Sequence, residues 1–303
     1  MMRWRKLGLV YCPAEERPWL HSHAAVPIAE HLSGDLFRIY FSSRDQDRRS
    51  YTAHVTVDLT APQNILEISP CPTLRPGALG EFDDSGAMAT WLTRQGNTRH
   101  LYYIGWNLGV TVPFRNAIGL ATSQGMDPFS RYAAGPIVDR TMDEPHFCAS
   151  CCVLPGETLW RMWYLSCTEW RQQAGKPEHR YHIKYAESQD GIHWKREGTV
   201  AIDYLNDDEV AISRPSVLYE DGVWKMWYSH RSDSYRIGYA ESKDGRQWTR
   251  MDTRAGIDVS PTGWDSEMIE YPFVFDHAGS RYMLYNGNGY GRSGFGLAVL
   301  DRG

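Results

Sequence analysis

The strongest constraint on the fold is a ten-residue segment that occurs twice in the chain. It reads Tyr-Ala-Glu-Ser-Gln-Asp-Gly-Ile-His-Trp at 185–194 and Tyr-Ala-Glu-Ser-Lys-Asp-Gly-Arg-Gln-Trp at 239–248, with seven identical positions. A weaker copy begins at Leu120. Asp-Gly after an alternating strand indicates a tight turn, because glycine accepts a positive φ and the aspartate side chain bonds the turn backbone. Each copy therefore predicts a hairpin.

A second pattern, an aromatic-rich strand that follows a glycine turn, occurs five times. The five strands are at 37–42, 101–106, 160–165, 224–229 and 281–286. The turn glycines at 34, 96, 156, 222 and 279 are separated by 62, 60, 66 and 57 residues. Units of this length suit four-stranded sheets with extended loops, and their radial repetition predicts a β-propeller.

The two ends of the chain predict how such a ring closes. The fifth unit ends at 295–300 after only three strands, whereas the segment 6–11 belongs to no other unit. Pairing these two segments removes exposed strand edges. We therefore predict an all-β fold, a single five-bladed propeller domain over residues 1–303, closed by the N-terminal strand joining the last blade. A β-sandwich with irregular hairpins is the alternative.

The net charge, the apolar runs and the cysteine spacing limit which partners, locations and metal sites are expected. The formal net charge of −5 gives no general attraction to phosphate backbones or anionic membranes, so neither nucleic acid nor membrane is expected as a partner. The first 16 residues contain no apolar run of signal-peptide length, and no run of 18 apolar residues occurs in the sequence, so we expect a cytoplasmic location. Cys148 and Cys151 have C-x-x-C spacing, but no second pair stands at zinc-site distance. No metal and no cofactor are predicted.

Polar residues at the beginnings of the first strands of the units mark the candidate site. These strands line the axis of a propeller, so their beginnings converge, and carboxylates stand at four of the five. Glycosidic bond cleavage typically uses two carboxyl groups, one protonated and one ionised. The predicted catalytic acids are Asp84, Glu209, Asp265 and Glu270. The predicted substrate-binding residues are His23, Arg44, Asp83, Glu144, Arg214, Arg231, Trp264, Tyr271, Asn286 and Asn288. Each of them also has a structural interpretation, such as turn capping for Asp84 or ion pairing for Arg231.

The repeated segment, the Met-Trp-Tyr strands and Phe-Asp-Asp-Ser-Gly at 82–86 resemble the five-bladed propeller glycoside hydrolases and phosphorylases of glycoside hydrolase families 32, 43 and 130. The resemblance implies the propeller fold and a carbohydrate substrate. In those hydrolases, acids of the first three blades act as base or nucleophile, as pKa modulator and as general acid. Asp84 and Glu144 match the second and third positions, but 20–24 in the first blade contains no acid.

We expect an enzyme that cleaves a glycosidic bond, most simply a glycosidase. The first alternative is a phosphorylase or glycosyl-transferring enzyme, in which phosphate or another acceptor replaces the missing acid. Its anion would be held by the arginine and histidine side chains of His23, Arg44, Arg214 and Arg231. The second alternative is a carbohydrate-binding propeller without catalysis.

Overall fold

The computed structural model of the chain describes residues 2–301. These residues form twenty β-strands, and their one helical element is a 3-10 turn at Asp252–Arg254. The predicted all-β class is therefore confirmed. Within the same residues, no helix is long and apolar enough to cross a membrane.

The strands fall into five groups of four, and neighbours within each group pair antiparallel. Group 1 is β2 (Ser22–Ser33), β3 (Leu36–Arg44), β4 (Ser50–Asp58) and β5 (Ile65–Ile68). Group 2 is β6 (Gly86–Gln95), β7 (Thr98–Leu108), β8 (Phe114–Gln124) and β9 (Ser130–Arg131). Group 3 is β10 (Cys148–Leu154), β11 (Trp160–Gln173), β12 (Lys176–Ser188) and β13 (Val200–Ile202). Group 4 is β14 (Ala211–Glu220), β15 (Val223–Arg231), β16 (Tyr235–Ser242) and β17 (Trp248–Arg250). Group 5 is β18 (Glu270–His277), β19 (Ser280–Asn286), β20 (Phe295–Leu300) and the N-terminal strand β1 (Trp4–Tyr11).

The N-terminal strand lies in the same sheet as the last strand of the chain. β1 pairs with β20 from Trp4 opposite Leu300 to Tyr11 opposite Phe295. Trp4 is buried there, with its ring 6.0 Å from that of Trp227 in group 4. This burial anchors the N-terminal segment.

The first strands of the groups contact one another in a cycle. β2 contacts β6, β6 contacts β10, β10 contacts β14, β14 contacts β18, and β18 contacts β2. Single parallel bridges, Ser50 to Gly86 and Tyr181 to Ala211, link groups 1 and 2 and groups 3 and 4. These bridges lie at the end where the first strands begin, which we call the mouth.

The repeated sequence segment forms the same turn in groups 3 and 4. In group 3 the Ser188 hydroxyl accepts the backbone N–H of Gly191 at 2.9 Å, and Asp190 caps the two residues that follow. In group 4, Ser242 and Asp244 make the equivalent bonds. The glycine carbonyls accept hydrogen bonds from the preceding group, Gly191 from the Tyr102 hydroxyl and Gly245 from the Trp163 indole, both at 2.8 Å. The segment therefore joins neighbouring groups.

Each first strand has an irregularity a few residues after it begins. In three strands it coincides with a residue of positive φ before a proline: Val26 (56°), Arg214 (53°) and Tyr271 (55°). A positive φ is unfavourable for any residue with a side chain, and most of all for a β-branched residue such as valine. It therefore persists only where surrounding contacts hold the backbone in place. Their backbone N–H groups are held by the side chains of Asn286, Ser150 and Ser229 respectively. These strand irregularities are β-bulges, and at each of them the residue with positive φ lines the same cavity.

Candidate active site

A cavity of about 410 Å³ lies at the mouth, and all five groups line it. Its apolar and aromatic lining comes mostly from groups 2 and 3, and its cations come mostly from groups 1 and 4. The side chains that line the cavity include Arg44, Arg48, Met88, Ile104, Trp106, Phe114, Phe147, Leu165, His179, Tyr181, Arg214, Arg231, Tyr235, Tyr271 and Tyr290. No Asp or Glu of residues 2–301 lines this cavity.

Among residues 2–301, none of the four arginines of the lining forms an ion pair with a carboxylate, and Arg44, Arg48 and Arg231 also lack the carbonyl contacts that hold Arg214. The pKa of Arg44 is lowered by burial and by the neighbouring charge of Arg48, with no carboxylate acting on it. The guanidinium of Arg231 lies 5.5 Å from the centre of the Tyr235 ring, and its buried Nε has no hydrogen-bond partner. Like charges brought together in a partly buried site are unfavourable without a counterion. The cavity is therefore suited to binding an anion.

Glu270 lies behind the cavity wall. Its side chain is 0% exposed, and neither carboxyl oxygen has a hydrogen-bond partner among residues 2–301. Burial raises the pKa of Glu270 well above its ordinary value, an effect that Tyr271 and Arg231 only partly oppose. A buried carboxyl group without partners is costly in a folded protein and is kept neutral by protonation. Glu270 is thus a carboxylic acid next to a cationic cavity.

Tyrosines form the wall between Glu270 and the cavity. The hydroxyl groups of Tyr181 and Tyr235 hydrogen-bond each other. The Tyr235 ring lies 6.1 Å from that of Tyr271 and 6.0 Å from that of Tyr290. Burial raises the pKa of Tyr235 to about 12 and that of Tyr271 well above its ordinary value. These hydroxyl groups therefore remain protonated and able to donate a hydrogen bond.

Glu209, a predicted catalytic acid, lies outside the cavity lining in an ion-pair network. Its two carboxyl oxygens accept from Arg250 at 2.7 and 2.8 Å, and His230 lies 3.1 Å away. Burial alone would raise the pKa of Glu209, but the bonds from Arg250 and His230 outweigh it and lower the pKa to about 2. An ionised, bidentate pair of this kind stabilises the fold.

We expect Glu209→Gln to lower the free energy of unfolding by about 2–3 kcal/mol at pH 7, because it leaves Arg250 without its bidentate partner. The wild-type carboxylate stabilises the fold above the unfolded pKa of 4.5, and this contribution is lost as the pH falls toward about 2. Urea unfolding at pH 7 and pH 3 measures the difference between the two proteins. If the substitution lowers the free energy of unfolding by as much at pH 3 as at pH 7, this assignment is contradicted.

Asp265, a predicted catalytic acid, and Glu144, a predicted substrate-binding residue, also have partners away from the cavity. Asp265 accepts from the Lys6 ammonium at 2.7 Å and from the Tyr285 hydroxyl at 3.0 Å. Glu144 accepts from the Tyr164 hydroxyl at 2.8 Å and from Ser166 at 3.0 Å. Both acids bond partners within their own groups, so the structure does not bring them to the cavity.

The two acids that precede group 2, and His23, also lie outside the cavity lining. Asp83 is buried against the Arg131 guanidinium, 2.8 Å away, and Asp84 accepts the backbone N–H of Gly80 at 3.0 Å. Asp84 faces a separate surface depression at the rim of the mouth. Burial, with the charges of two nearby arginines, lowers the pKa of His23 to about 4.

Four predicted binding residues serve the framework around the cavity. Arg214 lines the cavity, but its guanidinium bonds the carbonyls of Thr90 and Pro27, which come from two other groups. Asn286 bonds the backbone of Ala24 and Gly294 as well as that of Val26. Trp264 packs on Tyr285, with ring centres 5.2 Å apart, and Asn288 holds the loop at Glu267. Of the predicted residues, the structure brings together Arg44, Arg214, Arg231 and Tyr271 in the lining, with Glu270 behind them.

Several lining residues were not predicted as site residues: Arg48, Trp106, Phe114, His179, Tyr181 and Tyr235. They lie in the hairpins that end at the mouth, whereas most of the predicted residues stand near the beginnings of the first strands. The signal was present for Arg48, which stands in the turn after Arg44 among four other charged residues or amides.

A comparison with protein-family models gives no match. Two curated relatives are uncharacterized proteins of Mycobacterium tuberculosis, one from strain CDC 1551 / Oshkosh and one from strain ATCC 25618 / H37Rv. Each is 48% identical to this chain over 300 residues, which is 99% of this chain and 100% of the relative. Identity at this level over whole chains shows common membership of one family.

Solved structures share the fold at low sequence identity. A glycosyl hydrolase from Bacteroides ovatus has a TM-score of 0.75 at 14% identity, covering 99% of this chain and 93% of its own. A structure described for glycoside hydrolase family 130, a family of mannoside phosphorylases that contains hydrolases of β-1,2 mannosidic linkages, has a TM-score of 0.70 at 14% identity, with the same coverage of 99% and 93%. A thermostable family-43 glycoside hydrolase has a TM-score of 0.63 at 17% identity, covering 92% of this chain and 88% of its own.

The resemblance stated from the sequence is thereby confirmed for the fold. The chain belongs to one family with the two mycobacterial proteins, and it has the propeller-type fold of the glycoside hydrolases and phosphorylases.

Proposed function

We propose that the chain forms one five-bladed propeller domain, with groups 1 to 5 as its blades. The cycle of contacts among the five first strands supports this ring, as does the pairing of β1 with β20. The cavity then lies on the axis at the mouth, where a propeller places its ligand.

We further propose that the protein is a carbohydrate-active enzyme whose active site is this cavity. The observation that carries the proposal is Glu270, a buried and unpartnered carboxyl group behind a wall of tyrosines and unpaired arginines. Perturbed acids next to a cavity are a frequent mark of catalysis. The propeller-type fold agrees with a carbohydrate substrate.

The charge of the cavity favours transfer to an anion over simple hydrolysis. Hydrolysis in the usual form needs a second carboxylate to activate water or attack the sugar, and none lines the cavity among the described residues. Arg44 and Arg48 instead provide a site for phosphate or another anionic acceptor. Of the reactions considered from the sequence, phosphorolysis or a related glycosyl transfer fits this lining best.

Glu270 supplies the proton in this proposal. Glu270 does not itself line the cavity, so its proton passes through Tyr271, which lines the cavity and whose side chain partly opposes the rise in the Glu270 pKa. The two groups form no hydrogen bond in the free protein, so the transfer requires that they come into contact when the substrate binds. An oxygen of the anion attacks the anomeric carbon while the bond from that carbon to the glycosidic oxygen breaks. The leaving oxygen takes the Tyr271 hydroxyl proton, and Tyr271 takes the proton of Glu270. Arg231 then stabilises the carboxylate that remains.

Product release from a panel of aryl glycosides and oligosaccharides, with and without inorganic phosphate, tests the proposal. Release that requires phosphate supports it. Equal release in both conditions overturns the anionic acceptor in favour of hydrolysis. Retained sugar binding without release under either condition supports a non-catalytic carbohydrate-binding propeller.

A further inference from the structure

We infer that the substrate of this cavity is a glycoside with an apolar chain, and that the chain lies along the β7–β8 hairpin of group 2. The inference rests on the proposed function for the sugar and names the group attached to it.

One face of β7 carries apolar side chains from the cavity to solvent. Side chains two residues apart lie on the same face of a strand, so Ile104, Trp106 and Leu108 form one row. The first two line the cavity, whereas Leu108, at the end of the strand, is 74% exposed. Val110, in the loop that follows, is fully exposed. The row is therefore continuous from the cavity to the tip of the hairpin.

The neighbouring residues extend this row into an apolar wall. Phe114 stands opposite Leu108 on β8 and lines the cavity. Its ring centre is 5.5 Å from that of Phe147 at the start of group 3. Leu165 and Met88 also line this side, together with two uncharged polar side chains, Asn116 opposite Trp106 and His179 against the Phe114 ring. The unpaired cations, Arg44, Arg48 and Arg231, come from groups 1 and 4 instead, so the cavity has an apolar side and a cationic side.

The rim beside this wall carries further exposed aliphatic side chains. Leu79 is 98% exposed and shares a surface depression with Leu108. Met142, in the connection that leads to Phe147, is 97% exposed. Leu79 and Leu108 form one exposed apolar cluster in a depression that Arg49 and Asp84 also line. Clustered exposed apolar side chains mark a binding site more often than single exposed residues do. Aliphatic side chains have no aromatic face on which a sugar ring can stack, so this rim suits a hydrocarbon chain.

A ligand that fits both sides of the site is amphipathic. Its sugar and anionic group occupy the cavity beside the arginines and Tyr271, and its chain leaves over Trp106 and Leu108. Burial of each methylene removes apolar surface from water, so affinity rises with chain length until the chain extends past Val110.

Calorimetric titration with n-alkyl phosphates of two to ten carbons, below their micelle concentrations, tests the inference without requiring turnover. For the wild type we expect the affinity to rise about twofold to fourfold per added methylene, which corresponds to burial of a CH₂ group. For the Leu108→Ser/Val110→Ser double variant we expect this rise to be largely lost, with the affinity for inorganic phosphate unchanged. Both residues are exposed, so the variant is expected to fold normally.

Leu66→Ser is the matched control, because Leu66 is an exposed leucine on β5, away from the mouth. Its titrations should match the wild type. An affinity that does not change with chain length in the wild type overturns the inference, as does an equal effect of the control substitution. Binding to uncharged phosphatidylcholine vesicles without any chain-length effect in solution overturns it in favour of a membrane-facing rim. Turnover of short aryl glycosides is measured separately, so failure of the chain site and failure of the proposed function are distinguishable.

Discussion

Glu270→Gln is expected to lower turnover about 10²- to 10⁴-fold, the usual contribution of a positioned acid, while leaving the fold intact. Glutamine matches the shape of a protonated glutamate but has no proton to give. Tyr271→Phe should cause a loss of similar size, because it removes the hydroxyl through which the proton passes. Initial rates on the best substrate of the aryl glycoside panel measure both effects.

The same substitution has a separate signature in stability. Because burial raises the pKa of Glu270 in the folded protein, the unfolded chain loses this proton above about pH 4.5 while the folded protein keeps it. The wild type therefore loses up to about 1.4 kcal/mol of stability per pH unit above that value, until the pH reaches the folded pKa. Glu270→Gln removes this dependence. Urea unfolding at pH 5, 6.5 and 8 should show that the free energy of unfolding of the variant increases relative to that of the wild type as the pH rises.

Glu209→Gln provides the contrast, because its carboxylate has a lowered pKa and already has partners. It should lower stability while leaving the chemical step nearly unchanged at temperatures where the variant remains folded. Full turnover in Glu270→Gln, together with a stability profile parallel to that of the wild type, would contradict the role of Glu270 as the protonated acid.

The second large effect is expected for Arg44→Gln, which should weaken phosphate binding by about 30-fold or more. Arg44 is a partly buried cation without a carboxylate partner, so a bound anion is its main opportunity for charge compensation. Calorimetric titration with inorganic phosphate measures the effect. Arg44→Gln also removes the repulsion between Arg44 and Arg48, so the free energy of unfolding should rise or stay constant.

Arg49→Gln is the matched control for this experiment. Arg49 lies in the same turn, but it pairs with Asp45 at 2.9 Å and faces away from the cavity. Its loss should leave phosphate binding unchanged. Equal affinities for Arg44→Gln and the wild type, or an equal loss in Arg49→Gln, contradicts the anion site.

The sequence predicted the strand groups well, whereas only some of the residues it singled out line the cavity, and the reason is physical. The repeat at 185–194 and 239–248 is local, because its serine, aspartate and glycine bond one another within a few residues. The ion-pair partner of a buried acid, by contrast, can lie far away in the sequence. Glu209 is neutralised by Arg250, 41 residues away, and Asp265 by Lys6, 259 residues away. No spacing in the sequence reveals these pairs.

The same limit explains why Glu270 did not stand out. From its position it was one of four equivalent acids, and its distinguishing property is the absence of any partner for its two oxygens. Arg48 and Tyr235 were missed because they stand near hairpin turns that only the fold brings to the mouth. Buried neighbours, rather than residue types, therefore identify the site.

The turns of the repeated segment also bear on how this protein unfolds. The Tyr102 hydroxyl bonds the Gly191 carbonyl of the next group, and the Trp163 indole bonds that of Gly245. Removing one group leaves a buried donor in its neighbour without an acceptor, which is costly. Loss of one group thus weakens the next, so disruption passes from group to group instead of stopping at a single sheet. We therefore expect groups 2, 3 and 4 to unfold together.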